Sequence, residues 1–509
     1  MFVRRKPNKS GSTSIQIVEK RGLRNVVVCS VGCSKEPERI LRFEAEAHTR
    51  LEALKSQLQL NFGRSERELS ALDILQTGTI QSIGPELILG AIFEKIGFNA
   101  IPDELFKEIV IARLIYPTSK LKTAQYMLQH SGKEIDVHRI YRFLDRLNSR
   151  YQEQVETIAY NYSRSILGEL LVVFYDMTTL YFEAEDEDDL RRIGFSKDGK
   201  FQHPQIMLGL LVGRDGYPIS YDIFEGNTFE GKTLLPVIKR AQKRFELAKP
   251  TVVADSGLLS KENIKMLVDE RYEFILGARI KNESLALQDR ILKAAAVLKD
   301  QESIVIDKPD GIRLIVHYSE KRAKKDAHNR DKGISRINTQ IRTGRLTKDS
   351  LNKRGYNKFL TMKGEVLVEL DQRKIDQDKA WDGLKGYLTN SSHPTNEILA
   401  SYRQLWKIER AFRISKTDLR IRPIFHRKKE RIEAHICVAF VAYTVYKELE
   451  RLLLQRHIPL SPRKALDLMK TIYQVTLHLP DSKRVHTQFV GVSDLQRTLL
   501  ELALSLRTQ

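Results

Sequence analysis

From Leu170 to Ile280 apolar runs alternate with amphipathic stretches of helical period, and this alternation constrains the fold more than any other feature. LLVVFYDMTTLYF, beginning at Leu170, is β-branched and aromatic and long enough for a buried strand. QIMLGLLVGRDGYPISYDIFEG reads as two strands joined at an Asp215-Gly216 hairpin turn. TLLPVIKRAQKRFEL reads as a helix, PTVVADSGLLS as a short strand ending in a turn, SKENIKMLVDERY as a helix and EFILGARI as a strand. Strands and helices in turn signal an α/β layer whose central strands are covered on both faces.

The flanks differ. Residues 13–31 alternate as a small β-hairpin around a Lys-Arg-Gly turn, and residues 36–60 are helical and charged. Residues 85–165 form a helical block broken at Pro117, and its basic faces suit DNA as well as a plain bundle. Beyond Asn282, SIVIDKPDGIRLIVHYSE and KFLTMKGEVLVELDQRKIDQDKA alternate as strands with Asp-Gly and Lys-Gly turns. Between them, Ser319 to Lys358 holds 13 Lys/Arg against 4 Asp/Glu, a basic helical or mobile arm. WDGLKGYLTN reads as a strand returning to the first core. EILASYRQLWKIERAFRISKTDL then reads as one long helix, RIEAHICVAFVAYTVYKELERLLL as a second, and the last 50 residues as helical.

A formal net charge of +20 over 509 residues points to a polyanion, most simply nucleic acid. The 41% hydrophobic share excludes a disordered chain, and three cysteines exclude a disulfide scaffold. Cys29 and Cys33 lack a second Cys or His pair for structural zinc. The longest apolar stretch, near Ile436 to Val445, is short of the roughly 20 residues that span a bilayer. MFVRRKPNKSGS lacks the apolar segment of a signal peptide, so a reducing cytosol and no membrane partner are expected.

Two acids end apolar strands: Asp176 closes LVVFYD and Asp255 closes TVVAD. A carboxylate there requires a metal, a proton or a cationic partner, or else serves as a turn or cap residue. A third acid, Glu409, lies in SYRQLWKIERAFRISK, where Tyr402, Leu405, Glu409, Phe412 and Lys416 share one helical face with Trp406 and Arg413 beside it. That setting places Glu409 away from the solvated side. Three converging carboxylates suit Mg²⁺ or Mn²⁺ rather than soft metals. Two such ions, about 3.5–4 Å apart, serve phosphodiester chemistry. EAEDEDD, Glu183 to Asp189, packs six acids into seven residues and reads as a solvated loop. His435 reads as a core histidine, and nothing in the spacing assigns His203 or His426 to a site. Trp406 reads as core rather than a base-stacking residue, and Asn227 as either a turn or a supporting residue.

The three motifs in this order resemble the bacterial insertion-sequence DDE transposases with the RNase H-like, retroviral-integrase fold. Within them the chain is similar to the group with a β-strand insertion between the second Asp and the Glu. That group has a third motif Tyr-x2-Arg-x3-Glu-x6-Lys. Tyr402, Glu409 and Lys416 match it, while Leu405 stands at the Arg position, with Arg403 and Arg413 as the nearest alternatives. DMTTLYF matches the first motif and VVADSGLLS the second. The 79 residues from Asp176 to Asp255 and the 154 from Asp255 to Glu409 leave room for the extra domain.

The resemblance implies that Asp176, Asp255 and Glu409 are catalytic and hold two Mg²⁺ or Mn²⁺ ions. It implies that Tyr402 and Lys416 contact DNA, and Arg410, Arg413, Arg420 and Arg422 are expected along its backbone. The implied fold is α/β: an RNase H-like core with a β-rich insertion, an N-terminal β-hairpin, helical regions and a helical C-terminus. The expected divisions are 1–65, hairpin and helix; 66–165, helical and DNA-binding; 166–281, first part of the core; 282–384, β-rich insertion with basic arm; 385–450, second part of the core; and 451–509, helical. The implied activity is cleavage at the terminal inverted repeats of its own insertion sequence and transfer of the 3′-hydroxyl into target DNA. Double-stranded DNA and a second copy of the chain are the expected partners, in a bacterial, nucleoid-associated cytoplasmic setting. A metal-dependent nuclease without strand transfer and a domesticated DNA-binding protein are the alternatives. An RNA-binding protein would need an aromatic-plus-Gly sequence that the chain lacks.

Overall fold

The computed structural model describes residues 1–508 except 22–23, 59–78, 169–171, 197–198, 247, 344–354, 364–366 and 479–484. The chain forms two units: Met1–Ala159 with Ile414–Ile421 and Phe425–Gln509, and Tyr160–Arg413 with Arg422–Ile424. The Lys-Arg-Gly and Lys-Gly turns, the 65/66 division and part of the basic arm involve residues outside the described ones.

In the first unit, β1 (Phe2–Pro7), β2 (Thr13–Arg21) and β3 (Arg24–Ser34) form an antiparallel sheet in that order. Alternation on β2 points Ile15 and Ile17 at Ala47 and Leu51 of α1 (Pro37–Leu58). The expected hairpin is therefore a three-stranded sheet. FVRRKP is too polar to show a strand period, yet it pairs from Phe2↔Val18 to Pro7↔Thr13. After β4 (Thr79–Ser82) come α2 (Gly84–Ile96), α3 (Glu104–Ile115), α4 (Lys120–Ser131), α5 (Val137–Arg146) and the start of α6 (Gln152–Leu167), whose residues from Tyr160 belong to the second unit. Asp103, Ser119 and Asp136 cap the first turns of α3, α4 and α5. Phe93, Phe98, Phe106 and Phe143 pack ring against ring at 5.3–6.3 Å between centroids.

The second unit is built on one eight-stranded sheet. Its elements are β5 (Val172–Tyr181), β6 (Gln205–Val212), β7 (Pro218–Glu225), α7 (Leu234–Phe245), β8 (Thr251–Ala254), α8 (Lys261–Asp269), β9 (Phe274–Ala278), α9 (Leu285–Ala295), β10 (Ser303–Asp307) and β11 (Arg313–Tyr318). There follow α10 (Glu320–Arg342), β12 (Leu360–Lys363), β13 (Leu367–Leu370), α11 (Gln372–Lys379), β14 (Leu384–Thr389), α12 (Thr395–Arg403) and α13 (Trp406–Arg413). The strand order is β10-β11-β14-β9-β8-β5-β6-β7, with β5, β8 and β9 parallel and the other neighbours antiparallel. Asp215 and Gly216 both take positive φ, the backbone that a tight Asp-Gly hairpin requires. One face buries Val173, Tyr175, Met177, Val252, Ala254, Phe274 and Leu276 against Leu234, Val237, Ile238 and Ala241 of α7.

Within 282–384, β10 and β11 join the main sheet through β14, β12 and β13 pair as a separate hairpin, and the basic run is α10. DQRKIDQDK, expected as strand, is α11: Asp371 caps it and Ile375 is its buried apolar residue. The single long helix expected from Glu397 breaks after Arg403, resumes at Trp406 and passes into a π-helical turn, Ile414–Asp418.

The first unit is completed by α14 (Lys429–Gln455), α15 (Pro462–Met469), β15 (Tyr473–His478), β16 (Val485–Val490) and α16 (Asp494–Arg507). Buried on nearly all sides from Ile432 to Leu453, α14 packs against α2, α3 and α5. Its buried Glu448 is paired with Arg451 at 2.7 Å. The C-terminal region is not wholly helical, since β15 pairs with β16 and with β4 nearly 400 residues earlier. Among the described residues no helix is long and apolar enough to cross a membrane.

Candidate active site

Parallel pairing between β5 and β8 runs from Val172↔Thr251 to Tyr175↔Ala254. The next residue in each segment is an aspartate, so Asp176 and Asp255 stand side by side, about one strand spacing of 4.8 Å apart. Asp255 follows β8 as expected, but Asp176 does not end its strand, because β5 stays paired with β6 as far as Tyr181. Pairing of β8 with β9 ends at Ala254↔Leu276, and β9 pairs Gly277 with Tyr387 of β14. Asp176, Asp255, Gly277 and Tyr387 therefore form one row across four strands. Side chains alternate along a strand, so this row lies on the face opposite Tyr175 and α7. The helices α12 and α13 cover it, α12 packing on β8 and β9 and α13 on β5. Lys407 pairs with Asp215 and ties α13 to the β6–β7 turn.

From α12, the Tyr402 hydroxyl donates to Asp255 Oδ1 at 3.1 Å. Gly277 makes this reach possible, because a Cβ there would collide with the Tyr402 hydroxyl. The Tyr402 ring meets Tyr387 edge-on at 4.8 Å, and the Lys385 ammonium lies 4.5 Å from its centroid. Burial raises the proton affinity of the Tyr402 hydroxyl, and Asp255 and Glu409 raise it further. Burial lowers Lys385 below the ordinary lysine value, Arg322 adds to this, and Asp255 and Glu409 oppose it. Both carboxylates thus act on the same two groups. Asp255 also caps its own turn, accepting from Ser256 N at 2.7 Å, and Asp176 accepts from Met177 N at 2.7 Å. Lys385 was not among the candidates from sequence. A lone Lys in LKGYLT has no distinguishing pattern until β14 is seated beside β9.

Glu409 sits in the first turn of α13 and is exposed, not on the apolar side. The broken helix explains this, because Tyr402 and Glu409 do not share one continuous helical surface. Trp406 is 51% exposed rather than core. Leu405 is buried, while Arg403 donates to Gln301 Oε1 at 2.8 Å and Arg413 is exposed. Arg410 lies on α13, and the Arg422 guanidinium lies 5.7 Å from the Tyr181 ring, both in the second unit. Lys416, on the π-helical turn, and Arg420, at positive φ, belong to the first unit. EAEDEDD is a loop whose Asp188 pairs with Arg191 at 2.7 Å, Asn227 lies in the turn after β7, and His203 packs 6.1 Å from Tyr181.

Adjacent carboxylates on one face form an all-oxygen donor pair suited to a hard cation, and Asp176 and Asp255 fit Mg²⁺ or Mn²⁺ on that chemistry. Among the described residues no group of three or more His, Cys, Asp or Glu stands ready to share one ion. Glu409 thus acts on Tyr402 and Lys385 through its charge without closing a three-residue ligand set.

A large mixed sheet flanked by helices, with paired acids where the parallel pairing of β5 and β8 ends, defines an α/β protein with a carboxylate-bearing face. Residues 168–445, more than half of the chain, match the family described as the transposase DDE domain, and the chain belongs to that family. No curated protein matches it. Among solved structures it is similar to a piggyBac transposase in a synaptic complex with hairpin DNA, at 10% identity and a TM-score of 0.38, covering 84% of each chain. It is also similar to Mos1 transposase in a paired-end complex with the left transposon end, at 11% identity and a TM-score of 0.16. That match covers 46% of this chain and 66% of the other.

Proposed function

We propose that the protein binds the terminal inverted repeats of its own insertion sequence, cleaves the DNA ends and transfers the freed 3′-hydroxyl into target DNA. The observation that carries this reading is the adjacency of Asp176, in the middle of β5, and Asp255, just past the end of β8. In a family defined by its acidic residues, two carboxylates on one row form the core of a phosphoryl-transfer site. Asp176 and Asp255 would hold the hard cations, and Glu409 would complete the set by a local shift of α13. Two Mg²⁺ or Mn²⁺ ions, when bound, activate water or a 3′-hydroxyl and stabilise the leaving oxygen.

The chain's own residues orient and support this chemistry. Tyr402 fixes the Asp255 carboxylate through its hydrogen bond. Lys385 sets a positive charge beside Asp255 and Glu409, where a scissile phosphate would lie. Arg410, Arg413, Arg422, Lys416 and Arg420 supply charge for the DNA backbone. We place the core in the RNase H-like class, assign repeat recognition to residues 66–165, and expect a homodimer to join two element ends in a bacterial cytoplasm. We assign the chain to the Tyr-Arg-Glu-Lys group with Leu405 in place of the arginine.

The test uses precut element ends, supercoiled target plasmid and Mg²⁺. Joined products are expected from the unaltered protein, and Asp255→Asn should retain end binding while losing cleavage and joining. Nicked plasmid with no joined product would favour a nuclease. Cleavage by Asp255→Asn at the unaltered rate would remove Asp255 from the mechanism.

A further inference from the structure

Four basic side chains meet inside the first unit: Arg113 from the last turn of α3, Lys120 at the start of α4, His426, and His435 from α14. Arg113 is 5% exposed, Lys120 4% and His435 5%. The His426 and His435 rings lie 5.4 Å apart.

The partners of this cluster are neutral. Arg113 Nη1 donates to the Leu419 and Arg420 carbonyls, each at 3.4 Å, and Nη2 meets His435 Nδ1 at 3.4 Å. His435 Nε2 lies 3.0 Å from the Ile421 carbonyl, which accepts but cannot donate. Nε2 therefore carries the proton, Nδ1 accepts from Arg113, and His435 is the neutral tautomer. The acid that acts on His426 is Asp145, and Arg431 already holds it through two hydrogen bonds of 2.7 and 2.9 Å.

Lys120 is the odd member. Among the described residues its ammonium has no hydrogen-bond or ion-pair partner, and Arg113 repels it. It begins α4, whose dipole adds positive potential; Ser119 Oγ accepts from Lys122 N, which leaves the Lys120 and Leu121 amides as the open donors of the first turn. An ammonium held at a nearly buried residue beside a guanidinium, with no counter-charge, is costly unless an anion joins it. Burial accordingly pushes Lys120 well below its ordinary value and Arg113 down to about 10. The exposed Arg427 and Lys428 follow His426 in the chain.

We propose that Lys120, Arg113 and the first turn of α4 form a site for one phosphate group, supplied either as inorganic phosphate or as a DNA phosphodiester. The ammonium, the guanidinium edge and the Lys120 and Leu121 amides are donors only, and a tetrahedral oxyanion can accept from them. This site does not rest on the carboxylate reading, since its residues lie outside that row.

The experiment follows thermal unfolding of the full chain as inorganic phosphate is titrated at fixed ionic strength, with chloride as the control. Phosphate should raise the Tm of the unaltered protein. Lys120→Met, which keeps the length and removes the charge, should lose that response. His426→Asp places a carboxylate in the cluster; it should raise the Tm without phosphate and also cancel the response, so a failure of Lys120→Met to fold leaves a second variant. Binding of a labelled DNA duplex separates the two sources. A loss of about tenfold in Lys120→Met, with a salt slope shallower by about one, assigns the phosphodiester. Unchanged DNA affinity with a lost phosphate response assigns the free anion. Equal phosphate responses and equal DNA affinities in all three proteins would overturn the proposal, and Mg²⁺-dependent cleavage tests the carboxylate site separately.

Discussion

The Tyr402 hydroxyl reaches across to Asp255 Oδ1 and joins the α12 helix to the end of β8 at 3.1 Å. A hydrogen bond to a charged group contributes about 1.5–3 kcal/mol. Tyr402→Phe should therefore lower the rate of DNA-end cleavage by roughly ten- to a hundredfold if the bond is fully expressed in the transition state. Duplex binding should change little. Single-turnover cleavage of a labelled end measures the first quantity and anisotropy the second.

Removal of either aspartate should have a larger effect. Asp176→Asn and Asp255→Asn are each expected to abolish cleavage, because in the proposed mechanism the paired oxygens would be the donors for a hard cation. Chelation by EDTA should silence the unaltered protein, and added Mg²⁺ or Mn²⁺ should restore it. Gel assays of end cleavage with and without the ions check both expectations, and full activity in EDTA would exclude the metal.

Gly277 is the gap through which Tyr402 passes. In Gly277→Ala the new methyl would collide with the tyrosine hydroxyl and stand 3.1 Å from Ser256 N. Overpacking of this kind costs about 1–3 kcal/mol. The expected result is a lower Tm together with an activity loss resembling that of Tyr402→Phe. Addition of Tyr402→Phe to Gly277→Ala should restore part of the Tm, which a double-mutant cycle measures.

Stability should fall in acid through His426. Burial, and then the charges of Lys120, Arg113 and Arg431, depress it from 6.5 to about 3, against the pull of Asp145, while His435 packs beside it as a neutral ring. A depressed folded value means the unfolded chain binds the proton first. The contribution is thus complete above pH 6.5 and declines as pH falls toward 3. At pH 5 the loss amounts to at most about 2 kcal/mol. Urea unfolding at pH 7 and pH 5, without phosphate, should show His426→Gln losing less stability between the two than the unaltered protein.

The basic helix α10 is anchored by Arg330, which donates to both Asp382 carboxylate oxygens at 2.6 Å. The guanidinium is buried and Asp378 lies 3.9 Å from it, so removal of Asp382 should cost somewhat less than the roughly 3–5 kcal/mol of a fully broken buried pair. Asp382→Ala should lower the Tm and increase proteolysis within 320–342, whereas Lys324→Ala on the solvated side should do neither.

Much of the sheet was legible because its central strands are continuous apolar runs and its turns carry Asp-Gly. The acids at positions 176 and 255 stood out because a charge ending such a run demands a partner. The N-terminal strand and the β15–β16 pair were not legible. Phe2–Pro7 has no alternation, and β4 finds β15 only through a contact spanning nearly the whole chain. The helix carrying Glu409 looked continuous because its apolar spacing is regular. No local breaker marks the interruption between Arg403 and Trp406.

The amino-acid order alone determined the central strands and helices of the sheet unit and marked the carboxylates that follow apolar runs, because period and composition act locally. It did not determine that Asp176 and Asp255 are neighbours, that Gly277 opens the passage for Tyr402, or that Lys385 lies beside them. Those relations come from the register of β5, β8, β9 and β14, and register is settled by packing across the whole sheet.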